Sequence, residues 1–143
     1  MKAKYLKVVV AMLVCGFVLF TGSVGAKDNP TSYSFTVKPF WKEQGRDNHG
    51  KFRESKNLNN PWKVSLTSTT EGSGNGNNYQ TNFCLTDYNH ERVSNYLKVI
   101  QGKGYFTKEA YAEMVEKVVY IAAEDNGFNF SSYSVKGAWD EER

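Results

Sequence analysis

The sequence predicts a mainly β protein, a small antiparallel β-sandwich, on three observations. Four segments alternate apolar and polar residues with a period of two: 33–38, 62–67, 79–85 and 133–139. Successive side chains of a strand point to opposite faces, so this pattern gives a strand with one face on a core and one in water. Proline, glycine and asparagine punctuate the segments: Pro39 closes the first, Pro61 precedes the second, and the run 71–78 (Glu-Gly-Ser-Gly-Asn-Gly-Asn-Asn) separates the second from the third. Aromatic residues supply the core, with 18 of them after position 26. Each can bury about 150–250 Å², enough to build a core without disulfides.

The chain opens with an export signal. Lys2, Lys4 and Lys7 precede 13 residues without a charge, 8–20, and the run Thr21-Gly22-Ser23-Val24-Gly25-Ala26 ends in a small residue. A basic start, an apolar middle and a small-residue cleavage site make a secretory signal peptide over residues 1–26. The apolar run falls short of the roughly 20 residues that span a bilayer, which disfavours an uncleaved anchor. Cys15 follows Val14 inside that run, which disfavours a lipid-modified cysteine. Residues 27–143 are then a single secreted domain with no stable membrane anchor after cleavage, of a length suited to one core.

Removal of the signal changes the charge balance. Without Lys2, Lys4 and Lys7 the 18 basic residues become 15, against 15 acidic ones. The basic character of the whole chain therefore belongs to the signal and gives no support for nucleic-acid binding. One cysteine remains, Cys84, so the domain has no internal disulfide, and a buried or half-buried thiol is favoured.

Between the strands, 42–60 is polar and reads as a long surface loop, and 71–78 reads as a hairpin loop. The glycines of 71–78 do not make a phosphate cradle, because no Gly-Lys-Ser/Thr and no helix follow. Val93 to Ile100 is a weaker strand. Tyr111, Met114, Val118 and Ile121 recur at helical spacing, yet Val118-Val119-Tyr120-Ile121 prefers strand. A short helix over 107–115 followed by a strand over 117–123 reconciles the two. Trp62, Val64, Leu66, Phe83, Leu85, Val135 and Trp139 are expected to face inward together.

No catalytic or metal site stands out, and none is assigned; no cofactor is expected. His49 lies beside Asp47 in the polar loop and His90 lies in the turn 87–91, neither with a second ligand at zinc spacing. Cys84 has no basic residue within three positions to activate it. No nucleophile-elbow motif is present. Glu71 with Asp87, or Glu124 with Asp125, serve as hydrolytic carboxylates only where the fold brings them together. Asp140-Glu141-Glu142 reads as a charged, solvated tail in preference to a calcium site. Asn129-Phe130-Ser131 matches a glycosylation triplet, which is uninformative here.

Three motifs carry a resemblance: Asn60-Pro61-Trp62-Lys63-Val64, Ala123-Glu124-Asp125-Asn126, and Tyr133-Ser134-Val135-Lys136-Gly137-Ala138-Trp139-Asp140-Glu141-Glu142. From about Tyr33 to Glu142 the chain resembles a family of small secreted Gram-positive bacterial proteins catalogued only as a domain of unknown function. It departs from that pattern at Lys136 and in the Glu- and Lys-rich stretch before 117. The resemblance implies secretion, a strand over 117–124 and a link to peptide-export or bacteriocin systems; it carries over no catalytic residue. The expected function is that of a secreted interaction protein that binds an envelope or protein partner and is not an enzyme. A bacteriocin-like toxin or accessory, and an extracellular hydrolase, are the alternatives.

Overall fold

The computed structural model describes residues 28–39, 45–54, 60–70, 79–125 and 131–142. Two antiparallel sheets enclose one core. Sheet A has the order β1 (Thr31–Val37), β9 (Tyr133–Asp140), β4 (Trp62–Thr69), β7 (Tyr105–Lys108). Sheet B has the order β2 (Gly45–Arg46), β8 (Val118–Glu124), β5 (Gln80–Thr86), β6 (Leu97–Ile100), with β3 (Lys51–Phe52) also on β8. The expected β-sandwich is therefore present, and all seven residues expected to face inward belong to its core.

The four strands with the clearest alternation form where it placed them. Their inner faces meet in one cluster: Tyr33 and Val37 from β1, Trp62, Val64 and Leu66 from β4, Val135 and Trp139 from β9, against Phe83, Leu85, Val119 and Ile121 of sheet B. Tyr33, Phe35 and Phe83 pack with centroids 5.5–6.5 Å apart, two of the three contacts edge-on.

Gly137 is what lets sheet A close around Tyr33. Tyr33 pairs with Gly137, its ring crosses that strand, and its hydroxyl donates to Ser65 O at 2.8 Å. A Cβ on Gly137 would stand 1.9 Å from Ser65 O and 2.6 Å from the Tyr33 hydroxyl. The glycine leaves a gap in the inner face and the ring from the neighbouring strand covers it, the arrangement that rescues glycines in sheets.

Three sequence expectations need correction. The helix expected over 107–115 is replaced by β7 up to Lys108 and a single 3-10 turn at Ala112–Met114. The helical spacing there arises because Met114 turns into the core while Tyr111 N bonds Val93 O; partners across the fold outweigh local propensity. The polar stretch 42–60 is not one long loop. Gly45 and Arg46 pair with Ala123 and Ala122, and Lys51 and Phe52 pair with Val119 and Val118. Among its described residues, 45–46 and 51–52 are two edge pieces on β8 with 47–50 between them, each too short to show periodicity. Residues 71–78, expected as a hairpin loop, lie outside the described residues, but β4 and β5 belong to different sheets, so the link crosses between sheets. The strand expected over 93–100 forms at its C-terminal half, after isolated bridges at Arg92 and Ser94. Residues 1–26 and the glycosylation triplet's Asn129 and Phe130 also lie outside the described residues.

Candidate interaction face

The two sheets present different outer faces to their surroundings. On sheet A the outward residues are mostly hydroxylic: Ser32, Ser34 and Thr36 on β1, Ser134 and Lys136 on β9, Ser65 on β4. These are the alternate positions that read as solvated in the sequence. On sheet B the alternation fades: on the outer side of β5 and β8, Cys84, Thr86 and Ala122 are buried, Gln80, Asn82, Tyr120 and Glu124 half-buried and Val118 exposed.

The outer cover of sheet B is an arginine–tyrosine layer. Cys84 pairs with Ala122, and both are fully buried although they point away from the core cluster. The buried thiol expected from the sequence is thus present, but the second sheet does not cover it. Arg92 bridges to Thr86 and stacks on Tyr96, 4.4 Å from guanidinium to ring centre. Tyr96 bonds to Arg92 and to Glu124. Burial, with the Glu124 carboxylate adding to it, pushes the Cys84 thiol up to about 12, and burial with Glu124 likewise pushes Tyr96 up to about 12. The hydrogen bond to Tyr96 holds Arg92 above its ordinary value. The thiol is thus neutral at ordinary pH, and a neutral thiol is a poor nucleophile.

At the other end of the face, Arg46 stacks on Tyr120 at 4.3 Å and donates Nη1 to Asp87 O at 3.1 Å and Tyr88 O at 3.3 Å. Tyr88 is 76% exposed, and the cross-strand pair Phe52 and Val118 is 50% and 43% exposed. Among the described residues, four large hydrophobic side chains are exposed, and three of them, these three, border sheet B's outer face. The fourth, Tyr105, pairs with Ser65 on sheet A, with Lys63 over its ring. Scattered exposed hydrophobics are ordinary, whereas a cluster with tyrosine and arginine has the composition of interface cores.

A second polar constellation is structural. Lys63 pairs with Asp140 across β4 and β9, next to Val64 and Trp139, so the Asn-Pro-Trp-Lys-Val and Trp-Asp-Glu-Glu segments meet. Asp140 accepts from Asn29 N at 2.8 Å and Lys51 Nζ at 3.1 Å, and Lys51 also pairs with Glu141. Lys63 pairs with Asp28. Arg53 is 2% exposed and donates to Asn60 O at 2.9 Å and to Glu141 O, while Glu142 accepts from Asn60 Nδ2 at 3.2 Å and from Glu54 N at 3.1 Å. Burial lowers Arg53 and raises Glu141; burial also opposes ionisation of Asp140, but its bonds from Glu141, Asn29 and Lys51 outweigh this and hold it low. The terminal acids, expected as a solvated tail, are instead the anionic half of a latch that fastens β3 and residues 28–29 to sheet A. Their partners are scattered along the chain, so nothing local revealed the role.

The remaining expectations fall as follows. His49 is exposed and its ring Nδ1 lies 2.9 Å from Asp47 Oδ1, while Asp47 is buried. This pair and Ser32, Ser34, Phe35 and Arg46 line a groove of about 490 Å³ beside β1. His90 is exposed in the turn after Asp87, with φ of 68°. Asp125 is buried beside half-buried Glu124, and Glu71 lies outside the described residues. Among the described residues no cluster of three or more histidine, cysteine, aspartate or glutamate side chains has the arrangement of a metal site.

No curated protein and no solved structure matches the chain. A family model described as a protein of unknown function (DUF2712) matches residues 20–143. With that match running through the whole sandwich and both halves of the latch, the chain belongs to the DUF2712 family.

Proposed function

We propose that the protein is an exported binding module that holds a partner protein on the outer face of sheet B and performs no chemistry of its own. The signal-like residues 1–26 support export. The contrast between the two outer faces carries the binding reading: sheet A is mostly hydroxylic, with Tyr105 under Lys63 its one exposed large hydrophobic side chain among the described residues, while sheet B gathers Tyr88, Phe52 and Val118 around two arginine–tyrosine stacks. Tyrosine and arginine are enriched among the residues that carry binding energy at interfaces, and tyrosine buries a large rigid area at little entropic cost. Purified residues 27–143 used as bait on envelope and culture fractions test the reading. The Phe52→Ala/Tyr88→Ala double variant is expected to lose the captured partner and Ser34→Ala to keep it; the reverse pattern contradicts the assignment.

A second reading has one observation in its favour. The His49–Asp47 pair shares a groove with Ser32 and Ser34, the residue types of a hydrolytic triad. Labelling of the domain by a fluorophosphonate, lost in Ser32→Ala or Ser34→Ala, would establish hydrolase chemistry there. No labelling leaves the groove as a surface feature shaped by Asp47, which also accepts His49 N at 2.9 Å.

A further inference from the structure

From the proposed role of sheet B's outer face, we infer the chemistry of its partner: an acidic protein segment in which carboxylates alternate with apolar side chains. The first ground is charge. By pairing register, Arg46, Arg92 and Lys98 lie on this face, against the carboxylate of Glu124. That carboxylate is already bonded to Tyr96. By register three cations stand against one carboxylate on the strands of this face, with Asp87 and Glu91 in the adjoining turn that also carries Tyr88.

The second ground is preorganisation. Arg46 is fixed by the Tyr120 ring and two main-chain carbonyls, and Arg92 by the Tyr96 ring. A guanidinium already held on an aromatic face loses little freedom when it meets a carboxylate; exposed Arg92 offers its fork to that group, whereas Arg46 has Nη1 bonded to two carbonyls and Nε buried. Arg46 and Arg92 lie three strand spacings apart, roughly 14 Å at about 4.8 Å per strand, so one partner segment crossing the strands can reach both. The floor between them is small and closed, formed by Ala122 and Cys84.

The third ground separates a peptide from an anionic polymer. Phe52, Val118 and Tyr88 flank the arginines and are exposed. A phosphate or sulfate polymer would answer the charges and leave these side chains in water, whereas a peptide with apolar residues between its acids covers both.

The test is selection of a random peptide library displayed on phage against residues 27–143, with inorganic polyphosphate titrated in parallel. The expected result is enrichment of peptides that interleave Asp or Glu with aromatic or aliphatic residues. Their binding should weaken at least about tenfold in Arg46→Lys or Arg92→Ala, the loss of one charge-assisted bond, and fall with added salt. Circular dichroism and thermal melting confirm that each variant is folded. Peptides that require this face but show no acidic enrichment would overturn the partner chemistry and leave the face assignment standing. Peptides indifferent to both arginines and to Phe52→Ala/Tyr88→Ala would overturn both. Polyphosphate binding that needs both arginines, with no peptide enriched, would replace the protein partner by a polyanion.

Discussion

Gly137→Ala is the smallest change that should open sheet A. The added methyl would stand 1.9 Å from Ser65 O, a main-chain atom of the adjacent strand, and 2.6 Å from the Tyr33 hydroxyl. An ordinary carbon–oxygen contact is about 3.3 Å, so β4 and β9 would have to part by roughly 1.4 Å, and the Tyr33 ring would have to shift as well. Overpacking of this kind costs about 1–3 kcal/mol. Loss of the bond from Tyr33 to Ser65 O adds about 0.5–1.5 kcal/mol. The expected destabilisation is about 2–4 kcal/mol, a large part of the 5–15 kcal/mol typical of a domain. Urea unfolding followed by the fluorescence of buried Trp62 and Trp139 reads it as a lower midpoint with an unchanged slope. Tyr33→Phe in the same background should show coupling, since both changes act on one contact. A midpoint within about 0.5 kcal/mol of the parent, the range of neutral surface substitutions, would refute the packing argument.

Trp139→Ala should cost about 3–5 kcal/mol in the same assay. Trp62→Phe should cost under about 1.5 kcal/mol, because Trp62 Nε1 is buried without a hydrogen-bond partner and the swap keeps most of the volume. Cys84→Ser should preserve the fold with modest loss of stability, and the native thiol should resist a disulfide reagent until the protein unfolds. Its folded value, pushed up to about 12 from an ordinary 9.0, means that the native state holds the proton more tightly than the unfolded chain. The associated stability is fully present below about pH 9 and declines as pH rises toward 12, a slope that Cys84→Ala should reduce. N-terminal sequencing of secreted material should begin at Lys27; retention of residues 1–26 would contradict the export reading.

Much of the sandwich was legible because its sheet A strands obey a simple rule. Tyr33, Phe35 and Val37 alternate with Ser34 and Thr36, and water on one side and a core on the other suffice to explain that order. The less legible parts are those where a second partner decides. Gly45-Arg46 and Lys51-Phe52 are too short to show a period, and only pairing with β8 makes them strands. Tyr111 and Met114 keep helical spacing, yet Tyr111 N bonds Val93 O across the fold. Asp140, Glu141 and Glu142 look like a solvated end because their cations, Lys51, Arg53 and Lys63, lie far away in sequence. The candidate face left one trace: Cys84 sits out of phase with Phe83 and Leu85, which signals that the outer side of β5 is covered. Which residues cover it depended on Arg46 and the Arg92–Tyr96 pair converging from two segments far apart in sequence.

Site-specific photo-crosslinking in the secreting cells tests the central claim most directly. A photoreactive amino acid placed at Tyr88 or Phe52 samples the outer face of sheet B, and one placed at Ser34 or Lys136 samples the outer face of sheet A. The account predicts a discrete higher-mass adduct from positions 88 and 52, diminished by Arg92→Ala, and none from positions 34 and 136. Adducts confined to positions 34 and 136, adducts of equal yield from both faces, or the absence of any adduct from positions 88 and 52 would contradict it.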